Sequence, residues 1–388
     1  MKIAFCHENV LPCRGGCETY IAGLARRLVA DGHQVHLFAG KWDPDALPAG
    51  LCYHPVRPLP APRVFRHWAF GAACLRALSR IDHDVAVGFD KVWGVDVLYP
   101  QGGLYWATAR HNLLKYRQPW VRRLVGLLKA VDPAHRSFMA LERRQYLRQP
   151  RPLVVAISDM VRQHFQEYYQ FGGDDLRLVR LATDPDRFCE VDRPKRRDEW
   201  RRSWDIGPEK VVALFAGLNY RLKGLEPLLH AVKLVPEDFF RLLVAGHRHT
   251  AEFERLARRL GVADRVRFVG YMPDMRNCYF AADFFVHPTF YDPCSHVVLE
   301  AMACGLPVIT SRYNGASELL RPPREGFVIA DPHDHAALAD CLRRLLDPAR
   351  RAACGQAARR SAAQWTFEQH YRQILAVLAE AAARRHAA

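Results

Sequence analysis

The chain has 388 residues, 49% of them hydrophobic and 25% charged, a balance that suits a globular protein of about two domains. Its net charge of +15 and pI near 9.5 favour acidic partners: phosphorylated substrates, an anionic membrane or nucleic acid. Eleven cysteines, an odd number with no C-x-x-C pair, argue for a reducing compartment rather than a disulfide framework, and no apolar run reaches the roughly eighteen residues of a membrane span.

Lys2 to His7 reads as a first strand, its apolar run too short for a signal peptide. The loop Cys13 to Glu18 follows, with Gly15 and Gly16 supplying flexible backbone where a helix begins at Cys17 and runs to about Ala30. It is not the G-x-G-x-x-G of dinucleotide binders, and a plain turn explains it as well. Gln34 to Ala39 is the second strand and closes a βαβ unit. Asp84 to Gly88, Val95 to Tyr99 and Leu153 to Ile157 read as further buried strands, and Ser158 caps the helix after the last of them.

Between these strands, Leu104 to Arg148 carries ten basic residues against two acids, Asp132 and Glu142. Trp106, Tyr116 and Trp120 are interleaved with Lys115 and its neighbours. From Trp120 on, Val121, Leu124, Val125, Leu128 and Val131 share one helical stripe, with Arg122, Arg123 and Lys129 opposite. Such a helix suits a membrane interface, with Trp106, Lys115, Trp120, Arg122, Arg123 and Lys129 as contacts. An ordinary surface helix packed on its own domain is the other reading. Nucleic acid is not an expected partner, because no zinc spacing, helix-turn-helix or RNA-recognition signature accompanies the charge.

Asp184 to Phe188 and the polar run Glu190 to Arg201 read as a linker. Val211 to Ala216 opens a second block, with a helix from about Leu225. Strands follow at Leu242 to Ala245, Val266 to Val269, Phe284 to His287 and Val308 to Thr310, and residues after about Ala337 are nearly all helical. Alternation in two blocks predicts an α/β chain with two doubly wound, Rossmann-like parallel-sheet domains facing a cleft, with ligands at the strands' carboxyl ends. The expected boundaries are 1–182, 183–365 and a last helix over 366–388.

The most informative stretch is Asp292-Pro293-Cys294-Ser295-His296-Val297-Val298-Leu299-Glu300. Its two acids stand eight residues apart, just over two helical turns, so a helix from about Cys294 turns both carboxylates to one side. The free N–H groups of Cys294, Ser295, His296 and Val297 would meet an anion there. Acceptors for sugar and ribose hydroxyls beside donors for a diphosphate suit a nucleotide sugar. Upstream, Gly217 to Gly224 joins a strand to a helix, and Arg221 and Lys223 on that loop can neutralise a departing diphosphate. Three D-x-D triplets, at Asp43, Asp82 and Asp184, read as turns, and no metal or other cofactor is expected.

In combination these motifs resemble a retaining glycosyltransferase of family 4 with the two-domain B-type fold, over nearly the whole chain. More narrowly the chain is similar to the lipopolysaccharide core α-glucosyltransferases. Ile3 to Cys6, Pro12 to Gly16, Gly32 to Val35, Val87 to Lys91, Gly94 to Val97, Lys223-Gly224 and Asp292 to Pro307 carry the likeness. The resemblance implies that Lys223 meets the diphosphate, Glu300 the donor ribose and Asp292 the transferred sugar. Asn219, Arg221, Gly246, Ser295, His296 and Val297, with Gly15 and Gly16, complete the donor site. Two positions depart from the family pattern. Asp292 replaces the usual Glu, and Leu222 stands where arginine commonly precedes the lysine, leaving Arg221 one residue early.

The expected reaction moves a hexose, as in UDP-glucose, to a lipid-linked saccharide such as the inner-core heptose, on the inner face of the cytoplasmic membrane. Asp96 with Gln101, Gly102 and Gly103 is the candidate acceptor wall, a structural strand-end aspartate being the alternative for Asp96. A UDP-sugar epimerase on the same scaffold and a basic nucleic-acid-binding protein are the competing functions.

Overall fold

The computed structural model of the chain describes residues 1–11, 15–184, 188, 193–235, 238–246 and 249–387. They form two compact units: Met1–Leu113 with Gln118–Arg180 and Glu368–Ala388, and Leu114–Arg117 with Leu181–Phe367.

The first unit runs β1 (Lys2–Cys6), β2 (Asn9–Val10), α1 (Gly16–Ala30), β3 (Gln34–Ala39), β4 (Lys41–Trp42), β5 (Cys52–Pro55), α2 (Arg66–Leu78), β6 (Val85–Gly88) and β7 (Val97–Leu98). It continues through α3 (Tyr105–His111), α4 (Pro119–Val131), α5 (Pro133–Tyr146), β8 (Leu153–Ala156), α6 (Asp159–Tyr169) and β9 (Leu176–Leu178). Seven strands make a parallel sheet in the order β5-β3-β1-β6-β7-β8-β9, with Ile3 opposite both Val35 and Val85. Such strands are covered on both faces, which is why they read as unbroken apolar runs. Successive strands leave β1 in one direction and resume on its other side at β6, so the switch point lies between those two.

The second unit holds α7 (Arg193–Ser203), β10 (Val211–Gly217), α8 (Leu225–Lys233), β11 (Phe240–Gly246), α9 (Ala251–Leu260), β12 (Val266–Gly270), α10 (Arg276–Ala281) and β13 (Phe284–His287). Then come α11 (His296–Ala303), β14 (Val308–Ser311), β15 (Gly326–Ile329), α12 (His335–Arg344) and α13 (Pro348–Ala362). The sheet is parallel, ordered β12-β11-β10-β13-β14-β15, and its switch point falls between β10 and β13. The last helix, α14 (Phe367–Ala387), lies from Glu368 on against the first unit, where His370 meets the Tyr20 hydroxyl at 2.6 Å and Arg27 pairs with Glu368 at 3.1 Å. Among the described residues no helix is long and apolar enough to cross a membrane.

One expectation fails here. The polar run read as linker contains α7, docked on α10, while residues 185–187 and 189–192 lie outside the described set. No apolar stripe announces this helix because its anchor is ionic: the buried Arg201 guanidinium meets Asp283 at 2.7 Å, and Arg197 meets the same carboxylate at 2.6 Å.

In the second unit the rings of His230 and His335 stack at 4.7 Å. Burial, followed by the nearby His230, Arg117 and His333, brings the His335 imidazole down to about 4. The unfolded chain therefore binds the extra proton first as pH falls below about 6.5. This contribution to stability is whole above that pH and is lost on the way down to about 4. The thermal midpoint should fall across that window, and His335→Gln should flatten the fall. A variant profile superimposable on the wild type would remove His335 as its cause.

Candidate active site

The loops that leave β10 and β13 flank the second unit's switch point at the carboxyl edge, the usual ligand position in such sheets. After β10 the chain turns through Asn219, whose side-chain oxygen accepts from the Leu222 N–H at 3.2 Å and whose carbonyl accepts from the Lys223 N–H at 2.9 Å. Gly224 then takes φ +83, and a side chain there would collide with the Pro288 carbonyl. Gly246, at φ +130, ends β11 against the Gly217 backbone for a similar reason. These glycines press the loop beginnings together. The second loop is tied to the first by the Phe290 N–H, which donates to the Leu222 carbonyl at 2.9 Å.

The juxtaposition delivers Lys223 to Asp292. The ammonium lies 2.6 Å from Asp292 Oδ2 and 3.3 Å from the Tyr291 carbonyl. Behind them, His287 closes β13 with its Nε2 3.4 Å from the same carboxylate oxygen, its ring facing Phe215 and Phe285. Burial opposes ionisation of Asp292, but Lys223 and then His287 outweigh it and hold the carboxyl far below the usual range. Burial pushes the imidazoles of His287 and His296 down, so both stay neutral near pH 7. The Asp292 backbone is clamped to the next strand's loop, its N–H donating to Tyr313 O at 2.9 Å and its carbonyl accepting from Gly315 N–H at 2.8 Å.

α11 begins at His296, two residues after the expected start at about Cys294. Ser295 is its N-cap, and the Ser295 N–H is already taken by Asn314 Oδ1 at 3.3 Å. The N–H groups of His296 and Val297 are the first-turn donors left at the helix tip. Glu300 lies one turn on and accepts from the buried Tyr279 hydroxyl at 2.7 Å. Arg221 does not join this group. It pairs with Glu252 on the exposed surface, because the loop's register turns residue 221 outward and residue 223 inward. In this arrangement, then, the Arg221 guanidinium is held by Glu252 rather than beside Lys223.

In the first unit, Gly15 and Gly16 open α1, the Thr19 hydroxyl donating to the Gly15 carbonyl at 3.0 Å, while residues 12–14 of that loop lie outside the described set. Gln101, Gly102 and Gly103 follow the carboxyl end of β7, and both polar side-chain atoms of Gln101 are buried without a hydrogen-bond partner among the described residues. Asp96 sits at the opposite, amino end of that strand. Its Oδ2 accepts from Ala86 N–H at 2.8 Å and pairs with Arg385 at 3.1 Å. It is a structural strand-end aspartate, and its place in the acceptor wall is withdrawn. His7 leaves β1 at the switch point, buried, with its Nδ1 unpartnered among the described residues and Asp90, Glu18 and Lys91 close enough to affect its charge. Sequence reasoning passed over His7, His287 and Tyr279. The first two had a signal: each is a lone polar residue ending an apolar strand.

The D-x-D triplets at Asp43 and Asp82 have structural contacts. Asp43 caps a short turn through the Asp45 N–H at 3.2 Å, and Asp82 pairs with Lys2 at 2.6 Å. Residues 185–187, which complete the third, lie outside the described set.

On α4 most of the apolar side chains are exposed, Trp120 67%, Leu127 69%, Leu128 59% and Val131 66%, while Val121 and Val125 are half-buried and no residue of the helix is fully buried. The helix rests on α5 through its half-buried positions while the rest of the stripe stays uncovered, and Leu127 joins the exposed residues. Arg123 is exposed, Arg122 and Lys129 half-buried. Lys115 lies over the Tyr116 ring at 5.2 Å, and Trp106 meets Tyr168 edge-on at 6.1 Å.

Residues 14–187 match the model of the Glycosyltransferase Family 4 domain, and residues 196–361 that of Glycosyl transferases group 1. A probable transglycosylase of Burkholderia thailandensis is 30% identical over 97% of both chains. The lipopolysaccharide glucosyltransferase WaaG of Escherichia coli K12 is 27% identical over 89% of this chain and 90% of its own. A crystal structure of WaaG superposes with a TM-score of 0.81 at 24% identity, covering 97% of this chain and 99% of that one. Anabaena HepE, solved with UDP-glucose, does so at 0.75 and 17%, covering 98% and 100%. The paired parallel sheets, the two loops at the switch point and these likenesses agree, and the chain belongs to the family 4 glycosyltransferases, with their B-type fold.

Proposed function

We propose that this glycosyltransferase moves a hexosyl group from a UDP-sugar, UDP-glucose first among them, to a lipid-linked saccharide such as the heptose of the lipopolysaccharide inner core. The observation that carries the reading is the partly buried Lys223–Asp292 pair beside the open N–H groups of His296 and Val297. An ammonium and a helix tip attract a diphosphate, and a carboxylate accepts from sugar hydroxyls. Glu300, oriented by Tyr279, is the acceptor for the ribose hydroxyls.

Bond cleavage leaves positive charge on the sugar and negative charge on the diphosphate. Lys223 and the two N–H groups stabilise the departing anion, without a metal. Neither Asp292, already engaged by Lys223, nor Glu300, bonded to Tyr279, is disposed as a nucleophile. The departing phosphate then takes the acceptor's proton on the same face, which retains configuration. His7 and Gln101, whose buried polar atoms at the first unit's carboxyl edge have no hydrogen-bond partner among the described residues, serve the acceptor saccharide. A panel of UDP-sugars with a heptose-terminated acceptor, read by NMR of the product's anomeric proton, tests this. Inversion of configuration, or epimerised donor in the absence of acceptor, would sink it.

The exposed apolar stripe of α4, with Arg122, Arg123 and Lys129 on the same helix, supports docking on an anionic membrane surface, at the inner face of the cytoplasmic membrane. Neutralising those three cations should cost roughly 1 kcal/mol of vesicle affinity apiece. Flotation with anionic liposomes measures it, and unchanged binding by the triple variant would exclude the electrostatic part.

A further inference from the structure

A second charged hollow lies in the second unit, away from the loops just described. It is a hollow of about 660 Å³, largely open to solvent, between α13, the end of α12 and the loop that enters β15. That loop sits at the amino edge of the sheet, whereas Lys223 and Asp292 sit at the carboxyl edge. Arg324, Arg344, Arg350 and Arg360 line it, with Pro323, against a single carboxylate, Asp347. Asp347 is occupied in capping α13, accepting from the Ala349 N–H at 3.1 Å.

Two of the arginines have partners. Arg344 meets Asp340 at 2.7 Å and lies over the Phe327 ring at 5.6 Å, and Arg324 is 4.0 Å from the buried Glu325. Arg350 and Arg360 make no hydrogen bond or ion pair with any described residue. Both stand on α13, ten residues apart, or about 15 Å along the axis at about 1.5 Å per residue. The surface between them, supplied by α13, is uncharged. Unneutralised guanidinium groups at both ends of a hollow recognise a ligand with an anion at each end, since each can take a phosphate through two parallel hydrogen bonds.

We propose that this hollow is a second ligand site, separate from the reaction centre, for a saccharide phosphorylated at both ends. The saccharide's uncharged rings cover the α13 surface while Arg350 and Arg360 hold its phosphates. Isothermal titration calorimetry with a disaccharide bisphosphate, one phosphate on each ring, tests it on the full chain. Saturable binding is expected, weakened at least tenfold by Arg350→Ala/Arg360→Ala and changed less than twofold by Arg255→Ala/Arg259→Ala. The latter pair removes equal charge from the exposed face of α9. UDP affinity, measured alongside, should be the same in all three proteins, so the result is independent of the donor reading. Equal losses in both double variants, no saturation with wild type, displacement by UDP, or equal affinity for inorganic phosphate alone would each overturn the site.

Discussion

Lys223→Met should lower kcat/KM with the preferred UDP-sugar by about 10²–10³-fold, the usual cost of removing one preorganised donor to a developing anion. Methionine keeps the apolar stem that lies under Gly217 and removes only the charge. The loss should fall mainly on kcat, because negative charge on the diphosphate grows as the glycosidic bond breaks. Lys223→Arg should recover part of it. Asp292 would then face His287 alone, so the thermal midpoint should drop as well, and Lys223→Met/Asp292→Asn should regain stability without regaining activity. That double variant separates folding from catalysis. Turnover by Lys223→Met within a factor of three of wild type would remove the lysine from the reaction.

Asp283→Ala should destabilise the second unit by about 3–5 kcal/mol, the range for breaking one side of a buried ion pair. The alanine strands the Arg201 guanidinium, whose side chain is 3% exposed, leaving the carbonyls of Ala281, Lys210 and Pro208 as its partners among the described residues. It also takes away the acceptor of the Val212 N–H at the start of β10. For a unit of this size the midpoint should fall by roughly 6–20 °C, read by circular dichroism or calorimetry. Replacing both partners, as Arg201→Met/Asp283→Leu, should cost much less, because apolar side chains need no desolvated counter-charge. Equal losses in the single and double variants would contradict that account.

The strands were legible because parallel sheets bury both faces. Val211 to Gly217 and Phe284 to His287 are apolar runs that only a covered strand explains, and their order gave the two doubly wound sheets. The pairing of Asp292 with a helix tip could likewise be read from spacing, and Lys223 from its glycine-bounded loop. What escaped detection depended on direction or on polar anchoring. α7 is held by charges, so its sequence has no stripe to detect. Asp96 was read as lying within a strand, but pairing begins only at Val97, which leaves the carboxylate at the amino end. Arg221 and Lys223 are equivalent in composition, and only the turn at Asn219 decides that one faces Glu252 and the other Asp292.

The 2.6 Å bond between Lys223 and Asp292 also bears on what can compete for the donor position. A lysine whose charge is already balanced gives a solitary orthophosphate ion little reason to settle, since capture would strand the carboxylate. A nucleotide sugar under the proposed assignment offers compensation to both members at once, an anion for one and hydroxyl protons for the other. Phosphate-rich surroundings should therefore inhibit this enzyme poorly.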